Sequence, residues 1–131
     1  MTMVARFSLI AGCLLGAVAV AAGAFGAHGL KAMLAAAGQT ENWETACRYG
    51  MYHALALVAT GLLAAGRPEL ARPAGIAGGC FLVGTLIFSG CLAALALSGV
   101  KILGAIVPIG GVLLIAGWLV LAAAAARIPA G

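Results

Sequence analysis

Between Lys101 and Arg127 the chain carries no charged residue, and three other stretches read in nearly the same way. The hydrocarbon layer of a bilayer is about 30 Å thick, and at 1.5 Å per residue a helix needs roughly 20 residues to cross it. Phe7 to Ala27, Ala74 to Leu97 and Ile102 to Ala126 meet that length. Tyr49 to Ala65 meets it if Trp43 to Arg48 extend it. Hydrocarbon offers no water to bond an open backbone, so each span must be helical. The connections Gly66 to Pro73 and Ser98 to Lys101 are short. Short connections make neighbouring helices antiparallel. The predicted fold is all-α: an integral membrane bundle of four antiparallel transmembrane helices, one domain over residues 1–131.

Composition removes the soluble alternative. Apolar residues make up 65% of the chain and charged residues 8%, against about 45–50% and about 25% in soluble domains. The formal charge of +4 comes from seven basic residues scattered between the apolar runs. That is the pattern of membrane-flanking charge, not of a nucleic-acid surface. Cys13, Cys47, Cys80 and Cys91 form no CxxC pair, and three of them lie in apolar runs, where a thiol acts as a small hydrophobe. No disulfide framework is expected.

The first run also carries features of a cleaved leader, including Ile10-Ala11-Gly12-Cys13, which looks like a lipoprotein cleavage box. Only Phe7 to Ile10 precede that box as an apolar core, and the apolar run continues for a dozen residues beyond it. An intact span is the simpler reading. Arg6, Arg67, Arg72 and Arg127 fall on one side of the membrane; Lys31, Arg48 and Lys101 fall on the other. This bias leads to the expectation that both termini lie in the cytoplasm.

Lipid tails are as apolar as leucine, so helices associate through close approach of small residues. Gly12 and Gly16, followed by Ala19, Gly23 and Ala27, mark such a stripe in the first helix. Ala46, Gly50 and Ala54 mark the second, and Gly75 and Gly79 the third. The same motifs could join protomers. Pro108 removes a backbone donor within the fourth run, and Gly110-Gly111 follow it. A kink or opened turn is predicted there.

The polar residues gather at one end of the first two helices. Gly29 suits a left-handed helix terminus, which puts His28 in the last turn and Lys31 where a cation faces the helix's negative end. Leu30 to Ala37 then form a short interfacial helix, ended by Gly38-Gln39-Thr40. Thr40 is the expected cap of the second helix. Glu41, Thr45, Arg48, Tyr49, Tyr52 and His53 share about a third of its circumference. Glu44 is placed to pair with Arg48. His53 lies deepest, and an ionisable group at such depth normally faces the bundle interior. Its expected partner is a tyrosine, serine or carbonyl, with Thr85 and Ser89 among the candidates.

Several of these segments resemble one family. Gly23-Ala24-Phe25-Gly26-Ala27-His28-Gly29-Leu30 is similar to the opening signature of the domain-of-unknown-function 423 family, small bacterial membrane proteins related to the animal transmembrane protein 256. Trp43-Glu44-Thr45-Ala46 with Tyr49 to Leu57, then Phe88-Ser89-Gly90, then Pro108 to Gly111 with Gly117-Trp118, resemble its later signatures. The resemblance implies about four membrane helices and no established activity. It singles out His28, Trp43, Tyr49, His53, Ser89, Pro108 and Trp118. Together with Lys31, Arg48 and Tyr52, most of these are expected to line one pocket opening on the His28 side.

The expected role is binding or scaffolding, with membrane lipids, a small molecule, a second copy or another membrane protein as partner. The alternative is a small proton-coupled transporter using His53, since Glu41, Glu44 and Glu69 all lie at surface level. No nucleophile–base–acid set is visible, so no enzymatic activity is expected. No cofactor is expected either. His28 and His53 differ in depth by two to three turns, and Cys80 and Cys91 stand about 16 Å apart along a helix, so neither pair suits one metal or haem.

Overall fold

The computed structural model describes residues 1–129. Its long helices are α1 (Met3–Ala27), α3 (Thr40–Gly66), α4 (Ala71–Ser98) and α5 (Ile102–Ala125). The short helix α2 (Lys31–Ala36) and a 3₁₀ turn (Pro68–Leu70) complete the chain. Each long helix is apolar and long enough to cross a membrane.

α1, α3 and α4 begin earlier than hydropathy marks them, because their first turns include polar or charged residues, whereas α5 begins at Ile102 as expected. Thr2 caps α1, its Oγ1 accepting from the Ala5 N–H at 3.1 Å. The helix therefore starts at Met3, not Phe7. Trp43 to Arg48 do extend α3, which starts at Thr40. Thr40 is not its cap: Gln39 occupies that position, and the Gln39 side chain accepts from Asn42 Nδ2 at 2.8 Å. Gly29 is not left-handed either. Among the described residues, the two glycines with positive φ are Gly38, after α2, and Gly99, after α4. α1 instead ends on His28, and the Leu30 N–H reaches back to the Phe25 carbonyl at 2.8 Å.

The helices pack in a row: α1 on α3, α3 on α4, α4 on α5, each pair antiparallel. α1 also touches α4 behind α3, whereas α5 leans on α4. The exterior inverts that of a soluble protein. Phe7, Leu14, Val18, Ile115 and Leu119 point outward, while Ala, Gly, Ser and Thr form most of the interior. This suits a solvent in which a large apolar side chain gains little from burial and a small one permits dense contact.

The small-residue stripes are only partly those expected. A Cβ on Gly12 would lie 2.8 Å from the Ala54 carbonyl oxygen, and Gly50 faces Ala19. Gly23 and Gly79, by contrast, meet nothing, and Ala27 is exposed. Their neighbours Gly26 and Gly78 make the contacts, Gly26 against the Trp43 indole and Gly78 against Ser8 and Thr60. The tightest seam joins α4 to α5 through Gly84, Gly110 and Gly117. α5 runs through Pro108 as one continuous helix, so no turn opens there. Pro108 is exposed, and its lack of an N–H leaves the Gly104 carbonyl without the donor a helix would otherwise supply.

Candidate functional site

The sequence-predicted residues do not meet in one pocket; the row of helices distributes them over separate clefts. His28 edges a shallow recess with Ala24, Phe25 and Gly29. Lys31 is exposed on α2, and neither it nor Pro108 lines any of the clefts described here. Trp43 and Arg48 lie with Thr40 and Glu44 in a cleft of about 280 Å³ at the α1–α2–α3 end. Glu44 and Arg48 do not pair; Arg48 Nη2 reaches Thr45 Oγ1 at 3.4 Å. Ser89 belongs to a different cleft among α1, α3 and α4. Tyr49, Tyr52 and His53 share a further site.

That site is a groove of about 500 Å³ between α3 and α5, lined by Tyr49, Tyr52, His53, Phe88, Gly111, Leu114, Ile115 and Trp118. α4 forms its floor. The groove follows from the row packing: α3 and α5 both lean on α4 and do not close over it. His53 is 5% exposed and lies at the base, whereas Tyr52 and Trp118 are about half exposed at the rim.

His53 is bonded through both ring nitrogens. Nδ1 lies 2.7 Å from the Tyr49 carbonyl oxygen, one turn back on α3. The Trp118 indole N–H donates to Nε2 at 3.2 Å. An indole N–H can only donate, so Nε2 is the acceptor and Nδ1 carries the proton that it donates to Tyr49. The imidazole is neutral and its tautomer is set. Thr85 and Ser89, two of the candidate partners expected from sequence, bond neither nitrogen. Trp118 supplies the bond instead, from a helix that is not a sequence neighbour of α3.

Aromatic rings surround the pair. The Tyr49 ring stacks on Phe88 with centroids 4.7 Å apart. Phe81 meets Trp118 edge-on at 5.0 Å and lies 5.7 Å from the His53 ring. Sequence reasoning grouped Trp118 with the signature residues but gave it no role. Its signal was the lone indole in an otherwise aliphatic span, which needs a partner for its N–H.

The His53–Trp118 bond links α3 to α5 across the groove. A double-mutant cycle with Trp118→Phe and His53→Ala, followed by unfolding in detergent, should give a coupling of about 0.5–2 kcal/mol. The range is modest because helices apart in the membrane find other partners for their polar groups. Strictly additive losses would show that the bond contributes nothing.

The sequence matches the family model described as "Protein of unknown function (DUF423)" over residues 22–111. That span holds His53, Ser89 and every groove residue except Leu114, Ile115 and Trp118. The UPF0382 membrane protein SERP0230 of Staphylococcus epidermidis is 47% identical over 113 residues, covering 86% of this chain and 89% of the relative. The UPF0382 membrane protein YwdK of Bacillus subtilis is 37% identical over 121 residues, covering 91% and 95%. No solved structure matches. Four apolar helices, the signature segments and relatives named as membrane proteins converge: the chain is a membrane protein and belongs to the DUF423 family.

Proposed function

We propose that the protein binds a membrane lipid in the groove between α3 and α5 and acts as a lipid-holding scaffold, without enzymatic activity. One observation carries this reading: a groove between two membrane-spanning helices has at its base a buried histidine, bonded to the rim indole of Trp118 and ringed by aromatic side chains. Tyr52 and Trp118, exposed along the rim, present flat amphipathic faces of the kind that sit against lipid. Leu114 and Ile115 supply an apolar wall for a chain. A second copy of the chain or another membrane protein is a further partner this reading admits, through the uncovered apolar faces of α1 and α5.

The proton-coupled alternative asks His53 to take up a proton. Both its nitrogens are already engaged, and an imidazolium could not accept from Trp118. A transport cycle would thus have to break the α3–α5 link, which makes static binding the better-supported role.

Native mass spectrometry from mild detergent tests the reading. Lipid should be retained by the wild type and reduced at least severalfold in a Tyr52→Ala, Trp118→Ala double variant. A wild type carrying no lipid, or a double variant carrying as much, would overturn it.

The inner membrane of a bacterium, with both termini cytoplasmic, is the proposed setting. Four basic residues near the helix ends of one side face three on the other, and Arg48 lies two turns inside α3. A maleimide that cannot cross membranes should leave a cysteine introduced after Thr2 unlabelled in intact cells and label one introduced at Val100. The reverse pattern would invert the topology.

A further inference from the structure

A second cleft, about 180 Å³, lies on the other side of α3, among α1, α3 and α4. Its walls are made by small residues, Ala19, Ala46, Gly50 and Gly90 among them, with the Trp43 indole at one end. Two hydroxyls line it, those of Thr85 and Ser89. Both oxygens are buried, Thr85 is only 2% exposed, and neither has a hydrogen-bond partner.

A hydroxyl on a membrane helix ordinarily bonds a carbonyl of its own preceding turn. This chain does so elsewhere: Thr60 Oγ1 donates to the Leu57 carbonyl at 2.7 Å, and Ser98 Oγ to the Ala94 carbonyl at 2.6 Å. Thr85 and Ser89 forgo that bond. They are one turn apart on the same helix and line the same cleft. A polar group left alone in an apolar setting is costly, so the pair is built to meet something that enters. Water is a poor candidate, because a buried water typically makes about three bonds and this cleft presents little beyond the two hydroxyls.

Depth selects the chemistry. Thr85 is the fifteenth of the 28 residues of α4 and so lies at the helix centre. Ser89 is about 6 Å nearer one end. The ester carbonyls of a phospholipid lie at the edge of the hydrocarbon, about 15 Å from its midplane, and acyl chains carry no acceptor. A molecule that bonds Thr85 must bring its oxygen into the middle of the bilayer. We infer that this cleft binds a lipid-soluble carbonyl compound of the quinone type, a flat apolar ring whose carbonyl oxygens accept from Thr85 and Ser89. The site is separate from the α3–α5 groove and does not depend on the lipid reading of that groove.

The chain has two tryptophans, and one of them lines this cleft. In a Trp118→Phe background only Trp43 fluoresces, and quinones quench indoles on contact. Menadione titrated into this variant in lipid nanodiscs should quench Trp43 saturably. Adding Thr85→Val and Ser89→Ala keeps the shape, removes the hydroxyls, and should raise the half-saturating concentration at least tenfold. A Cβ at Gly90 would meet nothing within 4 Å, so Gly90→Leu should fold, fill the cleft and abolish saturation. Unsaturable quenching that is alike in all three proteins would mean partition into lipid only and would overturn the inference. Lipid retention by the α3–α5 groove is read separately by mass, so either proposal can fail without the other.

Discussion

Replacing Gly110 by leucine is expected to detach α5 from α4. A Cβ at Gly110 would stand 2.5 Å from the Phe88 backbone nitrogen and 2.8 Å from the Gly84 carbonyl oxygen. Those neighbours are backbone atoms of a packed helix and cannot rotate away as a side chain can. The seam can admit the group only if the two helices part along their length. That also withdraws Gly117 from Phe81, and Trp118 from His53. Between helices in lipid no water-driven force restores the contact, because the attraction comes from dense packing itself.

The smaller change Gly110→Ala gains about 1 kcal/mol of helix propensity. Overpacking costs about 1–3 kcal/mol, occasionally more, even where side chains can adjust. Here none can, so a net loss of about 2 kcal/mol is expected from alanine and full undocking from leucine. Gly111→Ala is the control. Its Cβ would meet only the Phe88 ring, at 3.7 Å, an ordinary contact. Unfolding with SDS from mild detergent micelles, followed by tryptophan emission, should separate the two positions. Equal stability of Gly110→Ala and the wild type would show that α4 and α5 do not meet through this seam.

That contrast also marks where sequence reading stops. Hydropathy places all four spans, because a bilayer demands length and lack of charge and little else. It says almost nothing about which side of a span faces a neighbour. In water, burial of Leu and Phe would identify the inner face; in lipid both faces of α1 are apolar, and the inner one is recognised only by smallness. Hence Gly12 was legible as a contact, while Gly26 and Gly78 were passed over for their neighbours Ala27 and Gly79. Gly110 read as freedom behind a proline, although its use is close approach. The polar stripe of α3 was legible as a stripe, and His53 as its buried end. Its division among clefts was not, since it depends on the helices forming a row with α5 against α4. Trp118 could be joined to His53 only once that order was known.

Trp43→Ala is the other substitution with a large expected effect, and it bears on two clefts at once. The indole is 8% exposed and packs with Leu34 of α2 and Ala96 of α4. Its Nε1–H donates to the Ala22 carbonyl of α1 at 2.9 Å, and the absence of a Cβ at Gly26 lets the ring lie against the α1 backbone. One side chain thus ties four helices, among them the six-residue α2, too short to persist unaided. Truncating a buried tryptophan costs about 3–5 kcal/mol in water-soluble cores. Part of that is transfer from water, which is largely missing when the unfolded helix remains in lipid, so about 2–3 kcal/mol is expected here from lost packing and the lost bond. Trp43→Phe keeps most of the ring and should lose only about 1 kcal/mol, the share of the hydrogen bond. The indole also stands between the interfacial cleft that holds Arg48 and the inner cleft that holds Thr85, since it lines both. Its removal should join them, so that a bilayer-impermeant thiol reagent gains access to Cys47, which lies on the same boundary. Unfolding in detergent and the labelling rate of Cys47 measure the two consequences independently. Wild-type stability with unchanged Cys47 labelling would mean that Trp43 neither anchors the α2 end nor separates the clefts. A loss of stability without faster labelling would mean that α2 and α4 close over the space the ring leaves.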